Sequence, residues 1–221
     1  MTIVGRRLVV QQSSWLFNAQ PAYSARSDNP DRETSRMNDS IQAGPSAAVT
    51  PAGLNHLVLN VRDIAESHRF WTEMLGFRKV GEVPAGLGGV RRGAMHFYSG
   101  VRDGKVHHHD IALVDTPDLV QPQGPNPIGH VAIAMPDRES WLRQLAFLQS
   151  RGVPFERRVE HGMTHSLYIR DPNGYSIELL YELPRDTWEG DINAALNHYV
   201  ALPTEGTEAL EDRAEYPAFG G

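Results

Sequence analysis

Alternating apolar and polar positions occur twice along the chain in the same order, 74 residues apart. Asn55-His56-Leu57-Val58-Leu59-Asn60-Val61 and Gly129-His130-Val131-Ala132-Ile133-Ala134-Met135 each read as a strand with one histidine near its start. Seven residues after each histidine stands an aspartate, Asp63 or Asp137, placed to cap a helix, and Asp63 has Glu66 three residues on. Apolar residues then recur at helical spacing: Ile64, Phe70, Trp71, Met74 and Leu75 in the first copy, Trp141, Leu142, Leu145 and Leu148 in the second. Gly76 and Gly152 mark left-handed stops, after which strands return. Asp110-Ile111-Ala112-Leu113-Val114 closes one copy and Ser176-Ile177-Glu178-Leu179-Leu180 the other. The pattern predicts an α+β fold of two βαβββ modules, at about 54–115 and 128–182, curling as a mixed sheet around a cavity.

The flanks lack this periodicity. Residues 1–27 carry Arg6, Arg7 and Arg26 with no acid, and 28–53 are rich in Ser, Asp, Pro and Ala. We expect 1–53 to be a disordered or organelle-targeting extension, with Met37 as an alternative start. Residues 183–221 form a C-terminal extension ending in an acidic, Gly-containing tail over Pro203–Gly221, expected to be loose. No run approaches the roughly 18 apolar residues that cross a bilayer. With a net charge of −6 the chain lacks the basic face that nucleic acid requires, and a cytoplasmic enzyme or small-molecule binder is expected. Ten histidines and no cysteine restrict any metal site to imidazole and carboxylate donors.

Strand parity places such donors. If Leu57, Leu59 and Val61 pack under the first helix, His56 points to the opposite face; the same alternation turns His130 and Glu178 away from the second helix. Each taken alone also reads as a surface group. Together, two imidazoles and one carboxylate are the ligand set of non-haem iron(II) sites with open positions. Ala112 occupies in the first copy the place that Glu178 holds in the second, so a fourth protein donor is missing there. His107, His108 and His109 precede Asp110, His161 begins His161-Gly162-Met163-Thr164-His165, and Tyr168 shares the polar parity of Ser166 and Arg170. Histidine shuttles protons near neutral pH and a phenol donates to a substrate oxygen; Tyr168 reads equally as a plain sheet tyrosine.

The double βαβββ pattern resembles the vicinal oxygen chelate superfamily. Within it, His109-Asp110-Ile111-Ala112, His161-Gly162-Met163-Thr164-His165 and Tyr168-Ile169-Arg170-Asp171-Pro172-Asn173-Gly174 with Glu178 are similar to type I extradiol ring-cleavage dioxygenases of the catechol 2,3-dioxygenase branch. The resemblance covers about residues 54–182. It implies that His56, His130 and Glu178 hold iron(II), with manganese(II) as the other candidate, that His109 is the acid–base histidine, and that His161 and Tyr168 assist around the substrate. The implied partners are a catechol and O2, both oxygen atoms entering the ring beside its hydroxyls to give a semialdehyde or oxo-acid. Two departures are visible: the extra amino-terminal modules of many relatives are not found, and the step from His161 to Tyr168 is about two residues short. Residues 183–200, with Trp188, Asn197, His198 and Tyr199, either close the cavity mouth or meet another subunit, and a homo-oligomer is expected. Three alternatives stay open on the same scaffold: a glyoxalase-type isomerase, a thiol transferase and a non-catalytic protein that sequesters a small molecule.

Overall fold

The computed structural model describes residues 48, 50–87, 93–120, 124–213 and 215–220. The expected extension over 1–53 lies almost wholly outside the described residues, and the elements below all belong to the unit Ala52–Gly221. The first module runs β1 (Leu57–Val61), α1 (Ile64–Arg69), β2 (Arg78–Val83), β3 (Met95–Ser99), a short hairpin of β4 (Val101–Arg102) and β5 (Lys105–Val106), then β6 (Ile111–Asp115). The second runs β7 (Val131–Ala134), α2 (Arg138–Ser150), β8 (Arg157–His161), β9 (Thr164–Arg170) and β10 (Ser176–Glu182). The C-terminal extension adds α3 (Ile192–Asn197) and β11 (Tyr199–Leu202). The first sheet has the order β1-β6-β3-β2 and the second β11-β8-β9-β10-β7. In each, the first strand of the module pairs parallel with the last and the rest is antiparallel. The fold is a mixed α+β arrangement with curled, unclosed sheets, as the repeat predicts.

The helices start where the capping residues place them. Asp63 accepts from the amides of Ala65 and Glu66 at 2.8 and 3.0 Å, and Asp137 from Ser140 N at 2.6 Å. These bonds satisfy amides that have no partner within the helix. Gly76 and Gly152 have φ of +75° and +71°, which glycine adopts without a Cβ clash. The first helix widens into a π-helical turn over Phe70–Met74. Thr72 Oγ1 donates to His68 O at 2.7 Å there, competing for a backbone acceptor one turn back. The helix-facing sides of both sheets join one core: Leu59, Val61, Ile111 and Leu113 with Trp71, and Leu167, Ile169, Ile177 and Leu179 with Trp141, Leu145 and Leu148. Fully burying each such side chain contributes about 1.5–3 kcal/mol.

The Asp171-Pro172-Asn173-Gly174 turn locks the modules together. Asn173 Oδ1 accepts from Arg62 N at 2.8 Å, its Nδ2 donates to Ser67 Oγ at 2.9 Å, and Tyr175 OH donates to Asn60 O at 3.0 Å. Asp171 Oδ1 holds the turn by accepting from the amides of Asn173 and Tyr175, both at 2.8 Å. Burial nevertheless raises its carboxyl above the usual carboxylate range.

The segment expected to be a loose tail is docked instead. Arg158, 1% exposed, donates to the carbonyls of Pro203, Glu208 and Glu211, and the buried Asp212 accepts from His165, Tyr181 and Arg138. Acidic composition alone gave no sign of this, because the attraction resides in two buried basic side chains more than 40 positions earlier.

Candidate functional site

Sheet register fixes which residues share the face away from the helices. Glu178 lies opposite Tyr168 on one side and Ala132 on the other; the matching positions of the first module are Ala112, Phe97 and Val58. On the second sheet this face is polar. His130 Nε2 stands 2.9 Å from Glu178 Oε2, with the His130 side chain 44% exposed and that of Glu178 6% exposed. Tyr168 OH donates to Glu178 Oε1 at 2.7 Å, and His161 Nε2 lies 3.4 Å from the same phenol. Burial, with the Glu178 carboxylate adding to it, pushes the Tyr168 phenol far above its ordinary range, so at neutral pH it keeps its proton. The arrangement can offer one imidazole and one oriented carboxylate to a cation or substrate while the phenol fixes the carboxylate.

The first sheet carries a separate histidine group. His56 lies 4.3 Å, ring to ring, from His109, and His109 packs 5.0 Å from Phe97. His109 Nδ1 faces His108 Nδ1 at 2.9 Å. Desolvation, then the adjacent His56 and His108, lower the His109 pKa, so its imidazole is neutral at pH 7 and able to accept a proton. Asp110 anchors the segment: it accepts from Gly100 N at 2.9 Å and from Arg102 Nη2 at 2.6 Å.

The sequence-derived set is therefore assembled in two parts, His130, Glu178, Tyr168 and His161 in one and His56 and His109 in the other. Among the described residues, the ligand atoms of His56, His130 and Glu178 do not all come within 4.8 Å of one another. The donor group that meets that spacing is Glu160, His165 and Asp212, on the opposite face of the second sheet. It could hold a metal by composition, but Asp212 already accepts from three side chains, His165, Tyr181 and Arg138. We read it as the anchor of the C-terminal segment. Parity in the sequence could have paired Glu160 with His165; nothing in the sequence signals Asp212.

Close approach explains the glycine of the His161-Gly162 pair. A Cβ on Gly162 would stand 2.6 Å from the Phe219 ring and 2.7 Å from Ala195 Cα. Side chains beyond glycine are thus excluded where α3 and the C-terminal segment close over the β8–β9 turn. The aromatics of 183–200 are used partly within the subunit: His198 meets Phe219 edge-on with ring centres 5.5 Å apart, and Tyr199, opposite His161, extends the second sheet.

A lactoylglutathione lyase of Pseudomonas putida is 29% identical over 167 residues, covering 65% of this chain and 91% of that protein. Biphenyl-2,3-diol 1,2-dioxygenase 3 of Rhodococcus globerulus is 31% identical over 134 residues, covering 59% of this chain and 63% of that protein. A second dioxygenase of that organism, biphenyl-2,3-diol 1,2-dioxygenase 2, is 34% identical over 74 residues but matches only 39% of its length. Among solved structures, a glyoxalase/dioxygenase from Nostoc punctiforme aligns with a TM-score of 0.48 at 23% identity, covering 62% of this chain and 98% of that one. Residues 53–179, which contain the first module and the second as far as Leu179 in its last strand, match the family model, and the chain belongs to the glyoxalase/bleomycin resistance protein/dioxygenase superfamily.

Proposed function

We propose that the protein is an extradiol dioxygenase that opens a catecholic ring beside its vicinal hydroxyls, with His130 and Glu178 as two metal ligands and His56 as the third. The observation that carries the proposal is the His130–Glu178 pair at 2.9 Å, one donor exposed and the other buried and held by Tyr168. An exposed imidazole next to a fixed carboxylate is a donor set suited to a divalent cation with free positions. Ala112, at the register equivalent of Glu178, supplies no further donor. Iron(II) bound to this set would supply the electron transfer to dioxygen that the aromatic ring cannot make directly.

The remaining steps belong to this chain's side chains. His109, neutral at pH 7 and with Nδ1 turned to His108, takes a hydroxyl proton on Nε2 and returns it later. Tyr168 stays protonated and keeps Glu178 aligned by donating to its Oε1. His161, against the same phenol, steadies that donor.

The similarity to dioxygenases and the donor set support this reading; the longer match to the lactoylglutathione lyase supports a glyoxalase-type isomerase as the second. One experiment separates them. The protein is loaded anaerobically with iron(II), then given catechols and O2; oxygen uptake and a yellow ring-fission product are expected. Stoichiometric iron with no uptake across mono- and bicyclic catechols overturns the dioxygenase reading, and lactoylglutathione formation by the same preparation establishes the other. His56→Ala, His130→Ala and Glu178→Ala should each lower retained metal; full retention in His56→Ala removes His56 from the ligand set.

A further inference from the structure

A cavity of about 590 Å³ opens on the second sheet beside the His130–Glu178 pair, with Gly129, Arg157, Tyr168, Arg170, Ser176 and Asn126 among its walls. The carboxylate in its wall is already used. Both oxygens of Glu156 accept from Arg170, at 2.6 and 2.9 Å, and Arg170 also donates to Gly174 O. Asn126 Oδ1 accepts from Ile128 N at 3.0 Å. The cation beside that carboxylate has no acid partner. Among the described residues the Arg157 guanidinium meets no carboxylate, and neither the Ser176 hydroxyl nor the Asn126 amide nitrogen has a hydrogen-bond partner. Arg157 is held in the cavity by stacking, its guanidinium carbon 3.9 Å from the centre of the Tyr168 ring.

A wall whose carboxylate is spent on Arg170 and whose second guanidinium has no acid partner selects an anionic ligand. We propose that this cavity is the subsite for a carboxylate on the substrate's substituent, and that Arg157 is the residue that selects it. The proposal rests on the His130–Glu178 face as the reacting end. Tyr168 joins the two ends: its ring carries Arg157 and its hydroxyl bonds Glu178. One aromatic ring therefore separates the charge-selecting group from the proposed ligands. The substrate class that follows is an aromatic diol bearing a carboxylate rather than an uncharged alkyl or aryl group.

The test compares the equilibrium binding of 3,4-dihydroxybenzoate and its uncharged analogue 3,4-dihydroxybenzamide to the full chain by calorimetry. The carboxylate should bind at least roughly tenfold more tightly than the amide, as a charge-assisted pair predicts. Arg157→Gln should bring the ratio close to one, and Arg157→Lys, which keeps the charge without the planar fork, should retain part of it. Equal affinities in the unaltered protein, no measurable binding of either compound, or a ratio unchanged in Arg157→Gln would each overturn the subsite. Competition by inorganic phosphate at the same concentration as the benzoate would also overturn it, since the cavity would then take a free anion. The two proposals fail separately. A preserved preference with no oxygen uptake leaves the subsite standing and removes the dioxygenase; oxygen uptake with no preference does the reverse.

Discussion

The two modules share a backbone plan and differ in what their open faces carry. Val58, Ala112 and Phe97 occupy in the first sheet the register positions that Ala132, Glu178 and Tyr168 occupy in the second. Both sheets have a parallel first–last strand pair, and both bring a histidine to the start of the first strand. Yet one face pairs an imidazole with a buried carboxylate, while the other offers imidazoles against a phenylalanine. Duplicated backbone pairing requires only alternation and suitable turns, so the face away from the core is free to change its chemistry. The asymmetry gives one module the proposed anionic ligand and the other the proton acceptor.

That division of labour predicts different failures for the two faces. His109→Ala should lower ring-cleavage turnover roughly 10²–10⁴-fold with metal content unchanged, as for loss of a general acid–base, whereas Glu178→Ala should lose the metal itself. Metal analysis alongside steady-state rates checks both. Copying the second module onto the first by Ala112→Glu should destabilise the fold by about 1–3 kcal/mol, because Ala112 is fully buried and a longer side chain there forces its packed neighbours apart. Urea unfolding measures this, and a stability unchanged by the substitution would show that the first face tolerates a carboxylate.

The docked C-terminal segment distinguishes the second module further. Burial alone would raise the Asp212 carboxyl, but hydrogen bonds from His165, Tyr181 and Arg138 outweigh it and hold the group below its ordinary range. A carboxylate lowered in the native state contributes its full stabilisation above its unfolded pKa of about 3.9 and loses it as pH falls through the native value. Proteolysis of the 203–220 segment should therefore accelerate below about pH 4, and in Asp212→Asn this acid-dependent step should largely vanish. The smallest contrast concerns the two buried tryptophans. Trp141 Nε1 donates to Leu179 O at 2.8 Å, while Trp71 Nε1 has no partner among the described residues. Replacement by phenylalanine should cost about 1 kcal/mol more at 141 than at 71 from the lost hydrogen bond. Equal losses in denaturant midpoint at constant m would mean that the bond contributes nothing.

Much of this was legible in the sequence because it is local. Asp63 and Asp137 cap their helices, Gly76 and Gly152 take positive φ, and the parity of Glu178 and Tyr168 puts them side by side, each a consequence of period and of neighbours in the chain. The π-helical turn at Phe70–Met74 was not legible, since it depends on hydrogen bonds rather than on apolar spacing. Arg157 carried no signal either; it stands out only when Glu156 is seen to be occupied by Arg170, leaving one cation over Tyr168 without an acid.

The repeat, its caps and stops and the alternation of faces are determined by the order of residues, because strand and helix periodicity act over a few positions. That order also places a histidine at the start of each module and a carboxylate in only one. Tertiary structure decided which of these groups meet. It put His130 against Glu178 and His56 against His109, folded the acidic C-terminal segment onto Arg158 and His165, and made the Asp171–Gly174 turn the link between modules. Those outcomes depend on contacts between segments far apart in the chain, whose geometry is set by how the sheets and helices bury their apolar faces together.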